Sequence, residues 1–456
     1  MVRTVYAPES CLQYLEQYAA QEKFGIGLIL GQITDSRENV IHLARTPEEK
    51  VSDTISEGES LLERVESMAA VSEAWVADHA KHVTRMLPGG MFVLGIFITS
   101  EEEIFDNTNA SSKVKSVLNY MHKVLNVNPH MYGNCPGTNE KLVLHYSNKT
   151  VVCKSIEVNS ASKGLGAKPV DWKFTPKECQ WQRLDTYYEF DEVYPVLVKK
   201  NGISVKDQFQ QIVEEAQKAL EVSVMFIDGE LKDRSDPLDQ LVKKKKPKNA
   251  KSSSADPPKS MMVSLFVPFE SSMPETVEYL ECDGSIHFSG VVASSVFLYP
   301  KVTVKEAEAA VKQDIIRSLA SRFTMHCDAL IDDNLLPEEK VCFNEPPRRV
   351  LIPVGSLYLC DYLFPGEAPA EALLSVRELL DLHVAAAAVL CGAETPADTS
   401  EFDALDRDAS TEEMATPQEA SQAMYIIGIS VALLVLVVSI LVHYYSDIRR
   451  AVGNVV

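Results

Sequence analysis

Two hydrophobic periods run through the first 160 residues of the chain, so helices and strands are both expected. Apolar residues recurring every three or four positions predict helices, and short apolar runs bounded by Gly, Pro or Asn predict strands. The predicted elements are a helix from Ser10 to Gln21, strands Gly25 to Leu30 and Val40 to Ala44, a helix from Ser60 to Leu87, a strand from Met91 to Ile98, a helix from Ser112 to Leu125, and hairpin strands Leu142 to Tyr146 and Val151 to Ile156.

The strand from Met91 to Ile98 differs from the other predicted strands because it has no polar face. It follows the turn at residues 88–90 and is apolar at every position. A strand with this pattern is expected to be buried on both faces.

The remaining folded part also mixes helices and strands, which predicts an α+β fold class overall. The predicted elements are an amphipathic helix from Val205 to Leu220, strands Met262 to Val267, Thr276 to Cys282 and Ser285 to Leu298, a helix from Val304 to Phe323, hairpin strands Val350 to Val354 and Leu357 to Asp361, and a helix from Pro369 to Leu390. We expect a first domain at 1–160, a connecting segment at 161–242 and a second α+β domain at 261–391.

Two polar segments and one long apolar segment complete the expected organisation. Residues 243–260 are basic and then rich in Ser and Pro, which is typical of a disordered loop. Residues 392–423 form an acidic tether. Met424 to Val442 has no charge and no proline over 19 residues, about 28 Å as a helix, which favours a transmembrane helix over a buried core helix.

The orientation of this span has two opposing signals. The acidic flank before it and Arg449 and Arg450 after it would place the C-terminus in the cytosol. The absence of an N-terminal signal peptide and the short chain after the span favour a tail anchor instead. We expect a single-pass protein whose N-terminal body is cytosolic, with the lipid bilayer as one of its partners.

The net charge and the spacing of the cysteines limit the partners and the cellular compartment that this chain can have. The formal net charge is −21, which argues against nucleic acid as a partner, because that affinity comes from basic patches. The nine cysteines include no CxxC pair and are interpreted as reduced thiols in a cytosolic compartment.

The order of elements around the strand from Met91 to Ile98 resembles the MPN fold, which carries the JAMM-type zinc isopeptidases. Active members place a glutamate before the first strand and then HxH and Ser-x-x-Asp, because two imidazoles and a carboxylate hold the zinc. At these positions the chain has Phe24, Ile98, Ser100, Thr108 and Ser111. The resemblance implies an MPN-like but metal-free pseudoenzyme domain, with no cofactor.

Two other groups of residues deserve comparison with catalytic sites. His79 and His82 are one helical turn apart and could share a metal, although a solvated helix face is the alternative and no third ligand is evident. Cys360 beside Asp361 could be a thiol nucleophile, but the neighbouring Leu357 and Leu359 favour a buried core cysteine. We therefore expect no enzyme activity, and a membrane-anchored thiol hydrolase using Cys360 remains the alternative.

Several motifs, in order along nearly the whole chain, resemble the odorant-response-abnormal (odr-four-like) family. They are RMLPGGMFVLGIFI, PVDWK at 169–173, VKEAEAAVKQDI at 304–315, LYLCDY at 357–362 and HYYSD after the span. The motif positions taken as interaction residues are Arg85, Pro88, Gly89, Gly90, Asp171, Trp172, Cys360, Asp361 and Tyr362.

This resemblance implies a non-catalytic adaptor in the endoplasmic reticulum membrane. It implies G-protein-coupled receptors as cargo, a subset of which would be assisted in trafficking. It also implies recruitment of the protease of a ubiquitin-like modifier of the Ufm type.

Overall fold

Seven strands from the first 175 residues close into a barrel in the computed structural model. The model describes residues 3–34, 37–50, 62–63, 65–133, 139–159, 166–177, 179–196, 204–245, 260–268, 284–332 and 346–394. One compact unit covers Met1–Ala397, and residues 395–456 lie outside the described part of the chain. This compact unit contains both helices and strands throughout, which confirms the α+β class.

The described strands and helices have the following bounds. The strands are β1 Arg3–Pro8, β2 Phe24–Ile33, β3 Glu38–Arg45, β4 Glu49–Lys50, β5 Leu62–Glu63, β6 Phe92–Ser100, β7 Glu140–Ser147, β8 Thr150–Glu157, β9 Lys168–Thr175, β10 Gln182–Val196, β11 Val224–Ile227, β12 Glu230–Leu231, β13 Met261–Phe266, β14 Gly284–Leu298, β15 Arg348–Val354 and β16 Leu357–Leu363. The helices are α1 Glu9–Gln21, α2 Glu73–Met86, α3 Thr108–Leu125, α4 Val205–Val222, α5 Leu238–Lys245, α6 Val304–Asp332 and α7 Pro369–Leu380.

The barrel has the strand order β1-β3-β2-β6-β7-β8-β9 and closes because β1 pairs in parallel with both β3 and β9. Every residue of β6 is buried. Its alternate side chains enter two different hydrophobic clusters: Val93 and Ile96 pack with α2 and α3, whereas Leu94 and Phe97 pack with α1. The prediction that this strand is buried on both faces is confirmed.

A second sheet joins parts of the chain that the sequence had assigned to different regions. Its order is β12-β11-β13-β10-β14, and β10 pairs with β14 along fifteen residues, from Gln182 to Val196. Segment 161–242, predicted as a connection, instead supplies strands β9 to β12 and helices α4 and α5. The helix α6 packs against β10 and β14.

Several predicted helices have the wrong bounds. The helix α6 continues past its predicted end at Phe323 to Asp332. The helix predicted from Ser60 begins at Glu73, because the Ser72 side chain accepts a hydrogen bond from the Trp75 amide and caps the helix there. The helix predicted to reach Leu390 ends at Leu380, where Asp381 adopts a left-handed conformation with φ of 54°.

Glu394, which the sequence assigned to the predicted tether at 392–423, is buried within the folded part, and residues 395–423 lie outside the described residues. The predicted strand Thr276 to Cys282 and the predicted span Met424 to Val442 lie outside the described residues. Among the residues that the structure does describe, none of the helices is both long enough and apolar enough to cross a membrane.

Candidate functional site

The positions that the sequence matched to a JAMM-type zinc site carry the wrong side chains for a metal. Phe24 lies opposite Ser100 across β2 and β6, and Ile98 is fully buried. The Ser100 hydroxyl lies 3.2 Å from Nε2 of His145, and Ser111 donates to the Thr108 carbonyl. This set provides neither two imidazoles nor a carboxylate, so it does not fit a zinc ion.

The histidine pair on α2 has a structural explanation. His79 is buried, with Nε2 2.7 Å from the Leu379 carbonyl and Nδ1 3.1 Å from the Thr46 hydroxyl. Burial lowers the pKa of His79 to about 4, so its ring is neutral at physiological pH. His82 pairs with Asp78 instead. Both interpretations of His79, as a metal ligand and as part of a solvated face, are therefore wrong.

The glycines of the motif turn lie directly against α6. The Gly89 amide donates to Oδ1 of Asp314 over 2.7 Å, and the Gly90 amide donates to the Gln313 side chain over 2.9 Å. A Cβ on Gly89 would lie 2.0 Å from the Ala310 carbonyl oxygen, and Gly90 has a φ of +78°. Glycine is required at both positions because of this close approach and this turn.

A buried arginine of α6 holds the other side of the same turn. Arg317 is 2% exposed, and its Nη1 donates to the carbonyls of Leu87 and Pro88 over 2.9 and 3.2 Å. These carbonyls follow the last turn of α2, where the helix dipole is negative. Burial lowers the pKa of Arg317, and the carbonyls offset part of that desolvation.

A fully buried ion pair connects α6 to the β15–β16 hairpin. Arg349 contacts both carboxylate oxygens of Asp314, at 2.6 and 3.0 Å. Burial alone would raise the pKa of Asp314, but the Arg349 guanidinium outweighs it and the pKa is lowered. We call Gly89, Asp314, Arg317, Arg349 and Cys360 the α6 joint.

Cys360 belongs to this joint and is sealed within it. Its sulfur accepts a hydrogen bond from Arg349 over 3.1 Å and lies 3.5 Å from the Met86 carbonyl. Burial raises the pKa of the thiol, and Cys360 is only 1% exposed. A nucleophilic cysteine needs a lowered pKa and access to substrate, so this geometry does not fit a thiol nucleophile.

Glu394 extends the buried network to the end of the folded part. Its carboxylate accepts hydrogen bonds from the backbone amides of Ala293 and Arg349, each over 2.9 Å, and forms an ion pair with Arg322. Glu394 thereby attaches the start of the predicted tether to β14, β15 and α6.

The accessible part of the motif cluster is a pocket of about 370 Å³ beside the α6 joint. Arg85, Asp361 and Tyr362 line it, together with residues of α7 such as Leu374, which is 53% exposed. Burial raises the pKa of Asp361. We call this cavity the Arg85 pocket.

The two remaining motif residues lie elsewhere. Asp171 and Trp172 are on β9, which pairs with β1 at the barrel closure. Asp171 is exposed and pairs with Lys173 at 2.9 Å, whereas the Trp172 ring packs near Phe174. The structure thus brings seven of the nine motif residues together and separates these two from them.

Five charged residues of the buried network were not predicted from the sequence. They are Asp314, Arg317, Arg322, Arg349 and Glu394. A signal existed for Asp314, because it falls three residues after Val311 and four before Ser318 on the buried stripe of α6. A charge at a core position indicates a buried partner.

The matching family model and the related sequences indicate the same family. The family model described as "Odorant response abnormal 4-like" matches residues 27–391. The chain is 28% identical to the Drosophila melanogaster "Protein odr-4 homolog", over 97% of this chain and 99% of the relative, and 28% identical to the human one, over 84% of each. It is 20% identical to the Caenorhabditis elegans "Odorant response abnormal protein 4", over 70% of this chain and 65% of the relative.

One solved structure is similar at a lower level. The "Crystal structure of UfSP from C. elegans" has a TM-score of 0.41 and 10% identity, and covers 83% of this chain and 56% of that chain. No conclusion about fold or function rests on a likeness of this size. The family match covers most of the folded part, including the turn at residues 88–90, α6 and β16, and the chain therefore belongs to the Odorant response abnormal 4-like family.

Proposed function

We propose that this chain is a non-catalytic adaptor anchored in the endoplasmic reticulum membrane. In this proposal it assists the trafficking of a subset of G-protein-coupled receptors and recruits a Ufm-type modifier protease. Its N-terminal body, an MPN-like pseudoenzyme domain with the second sheet, faces the cytosol, and Met424 to Val442 is the anchor.

The α6 joint is the observation that supports a non-catalytic role for this chain. Its charged groups and its one thiol are buried and hydrogen-bond to one another or to backbone groups, with only Nε of Arg317 and of Arg349 lacking a partner in the described part of the chain. These residues hold α6, the turn at residues 88–90 and the β15–β16 hairpin together, and burial keeps them from contact with a substrate. The alternative of a thiol hydrolase is not supported, because Cys360 has a raised pKa and no access.

The Arg85 pocket is the surface that we propose for a protein partner. It combines one arginine, three carboxylates and exposed apolar surface within one concave region. Such a combination suits a protein interface, in which apolar anchors supply affinity and charged groups set specificity. The joint behind the pocket keeps its walls in fixed positions.

The receptor cargo and the protease are proposed for this chain because of the family resemblance. The names of the relatives refer to an odorant response, which is compatible with receptor trafficking. The predicted span supports a membrane site of action, because a hydrocarbon core of ~30 Å matches its length.

Affinity purification from detergent-solubilised membranes, followed by mass spectrometry, tests the proposal. The full chain is compared with a chain lacking Met424 to Val456, with Arg85→Ala, and with Arg377→Ala as a control at an exposed arginine of α7 outside the pocket. We expect the protease with the full and truncated chains and with the control, and a clear loss with Arg85→Ala.

Two results would contradict parts of this proposal. Recovery of receptors and coat proteins without any protease would support a role in receptor export and would contradict recruitment of the protease. Equal recovery of the protease with Arg85→Ala and Arg377→Ala would exclude the Arg85 pocket as its surface.

A further inference from the structure

The second sheet has apolar side chains on both of its faces. Helices α4 and α6 pack on the inner face, where the Phe190 ring of β10 lies 5.8 Å from the Phe323 ring of α6 and Val263 of β13 is buried. A sheet face that meets solvent normally has polar residues, so strands that are apolar on both sides are expected to be buried on both sides. In β6 this expectation is met, but β11 and β13 expose their outer apolar residues.

These outer residues are neighbours across the strands β11, β12 and β13. Val224 lies opposite Phe266, and Phe226 lies opposite Leu231. The rings of Phe226 and Phe266 are 5.2 Å apart, with their centres in an edge-to-face contact. The outer side chains therefore form one continuous apolar surface and are not scattered singly.

The strand β10 continues this surface on the other side of β13. Asp185 pairs with Met262, and Tyr187 shares the face of Asp185 because alternate residues of a strand point the same way. Leu231 is 65% exposed, and Phe266 and Tyr187 are each 59% exposed. A contiguous exposed apolar surface indicates an interaction site. We call it the β13 face, and its members are Tyr187, Val224, Phe226, Leu231, Met262 and Phe266.

The rest of the outer side of the sheet is covered by the chain itself. Arg183 and Phe297 lie opposite each other on β10 and β14, and both contact Tyr358 of the β15–β16 hairpin. The Arg183 guanidinium is 4.8 Å from the centre of the Tyr358 ring, and the Phe297 ring is 5.6 Å from it. The hairpin is thus a third layer over this half of the sheet. The exposure of the β13 face shows that the described part of the chain provides no such layer there.

A partner has to cover the β13 face with side chains. The backbones of β11 and β13 already pair with each other, and the sheet edge beside them, β12, is only two residues long. A strand added at this edge would find few free backbone groups. An α-helix satisfies its own backbone groups and presents only side chains, so a helix suits this face.

Two carboxylates on β10 determine the charge that suits a partner. Glu189 and Asp191 follow Tyr187 at two-residue spacing, so they extend from the same face, and both are exposed. Lysine or arginine at the edge of a partner would be attracted to them. A second copy of this chain, with its formal charge of −21, would be repelled.

We propose that the β13 face docks an amphipathic helix of a partner protein. The apolar side of the helix would lie on Tyr187, Met262 and Phe266, and lysine or arginine residues along one of its edges would face Glu189 and Asp191. This helix would be the third layer over its half of the sheet, as the hairpin is over the other half. The β13 face shares no residue with the Arg85 pocket, so this inference does not rest on the function proposed above.

Photo-crosslinking in cells tests the proposal. The full chain has p-benzoylphenylalanine in place of Phe266 or, as a control, in place of Val127, which is 74% exposed after α3. Membranes are irradiated, and mass spectrometry identifies the crosslinked peptide. At position 266 we expect a peptide of another protein, with apolar residues at helical spacing and Lys or Arg along one edge. We expect this peptide to be absent at position 127.

Variants measure what the face and its charges contribute. With the photoreactive group in place of Tyr187, Phe266→Asp should lower the yield of this crosslink by at least about tenfold. The double variant Glu189→Lys, Asp191→Lys should lower it as well, whereas Val127→Asp should not. Because all of these side chains are exposed, the melting temperatures should stay close to that of the wild type. A loss of docking is then distinct from a loss of folding.

Three outcomes would overturn the inference. The first is that position 266 crosslinks no protein beyond those found at position 127, or reacts only with lipid. The second is that the crosslinked peptide belongs to another copy of this chain or lacks the helical spacing and the basic edge. The third is that Phe266→Asp and the charge-reversed double variant give the same yield as the wild type.

Discussion

The α6 joint and the start of β3 both bury polar side chains, and the two regions differ in how completely those side chains are paired. In the joint, Asp314 accepts hydrogen bonds from Arg349 and from the Gly89 amide, and only Nε of Arg317 and of Arg349 lacks a partner among the described residues. In β3, neither polar atom of the Asn39 side chain has a partner among the described residues. Paired buried groups fix how elements pack, so the joint is expected to contribute far more than Asn39 to maintaining the fold.

The largest expected effect comes from breaking the ion pair of the joint. Asp314→Ala leaves the Arg349 charge buried and unpaired, so we expect a loss of about 3–5 kcal/mol in the free energy of unfolding. Urea denaturation of the full chain in detergent micelles measures it. The double variant Asp314→Leu, Arg349→Met should be less destabilised than the single one. A loss below about 1 kcal/mol for Asp314→Ala would contradict the importance of the pair.

The buried His79 should make stability depend on pH. Its pKa is lowered from 6.5 to about 4 by burial, so the unfolded chain binds the proton first as the pH falls. The stabilisation is therefore fully present above pH 6.5 and is lost as the pH falls towards 4. We expect this loss to reach up to about 3 kcal/mol.

His79→Gln isolates this contribution, because other buried imidazoles such as His326 titrate in the same range. Denaturation curves of this variant should show a smaller loss of stability over the window than those of the wild type. His383→Gln, at an exposed position, is the matched control. Identical pH slopes for His79→Gln and the wild type would show that His79 is not held neutral.

A smaller loss is expected at the turn that α6 covers. Gly89→Ala places a methyl group 2.0 Å from the Ala310 carbonyl, and such overpacking costs about 1–3 kcal/mol. Gly392→Ala adds the same methyl group where no atom lies within 4 Å, so its effect should stay within about 0.5 kcal/mol. Equal melting temperatures for the two variants would show that α6 does not lie against the turn.

The smallest effect concerns the reactivity of two thiols. Cys360 is buried with a raised pKa, whereas Cys391 is exposed. We expect maleimide to label Cys391 in the folded chain and to reach Cys360 only after denaturation, as read by mass spectrometry of peptides. Rapid labelling of Cys360 in the folded chain would revive the thiol-hydrolase interpretation.

Elements with one clear hydrophobic period could be predicted from the sequence. The strand at 91–98 and the amphipathic helix from Val304 fall where expected. The strand β10 falls in the segment predicted as a connection, although Leu184, Thr186 and Tyr188 lie at the two-residue spacing of a strand. Its pairing with β14, a hundred residues later, is a tertiary contact that local pattern does not encode.

The motif residues could be identified from the sequence, but their role could not. Arg85 and Gly89 are far from Cys360 along the chain, and their meeting depends on α6 and on Arg349. A buried charge is recognised as structural only when its partner is known. The unpartnered amide of Asn39 is likewise a property of packing, because asparagine in a strand has no distinctive sequence signal.

We propose that this chain works by binding and anchoring and not by thiol chemistry. The direct test is the fraction of Ufm-type protease that sediments with endoplasmic reticulum membranes in cells lacking the protein. These cells would receive the full chain, Cys360→Ala, or the chain without Met424 to Val456. We expect Cys360→Ala to restore sedimentation and the truncated chain not to. A folded Cys360→Ala that fails, or a truncated chain that succeeds, would contradict the account.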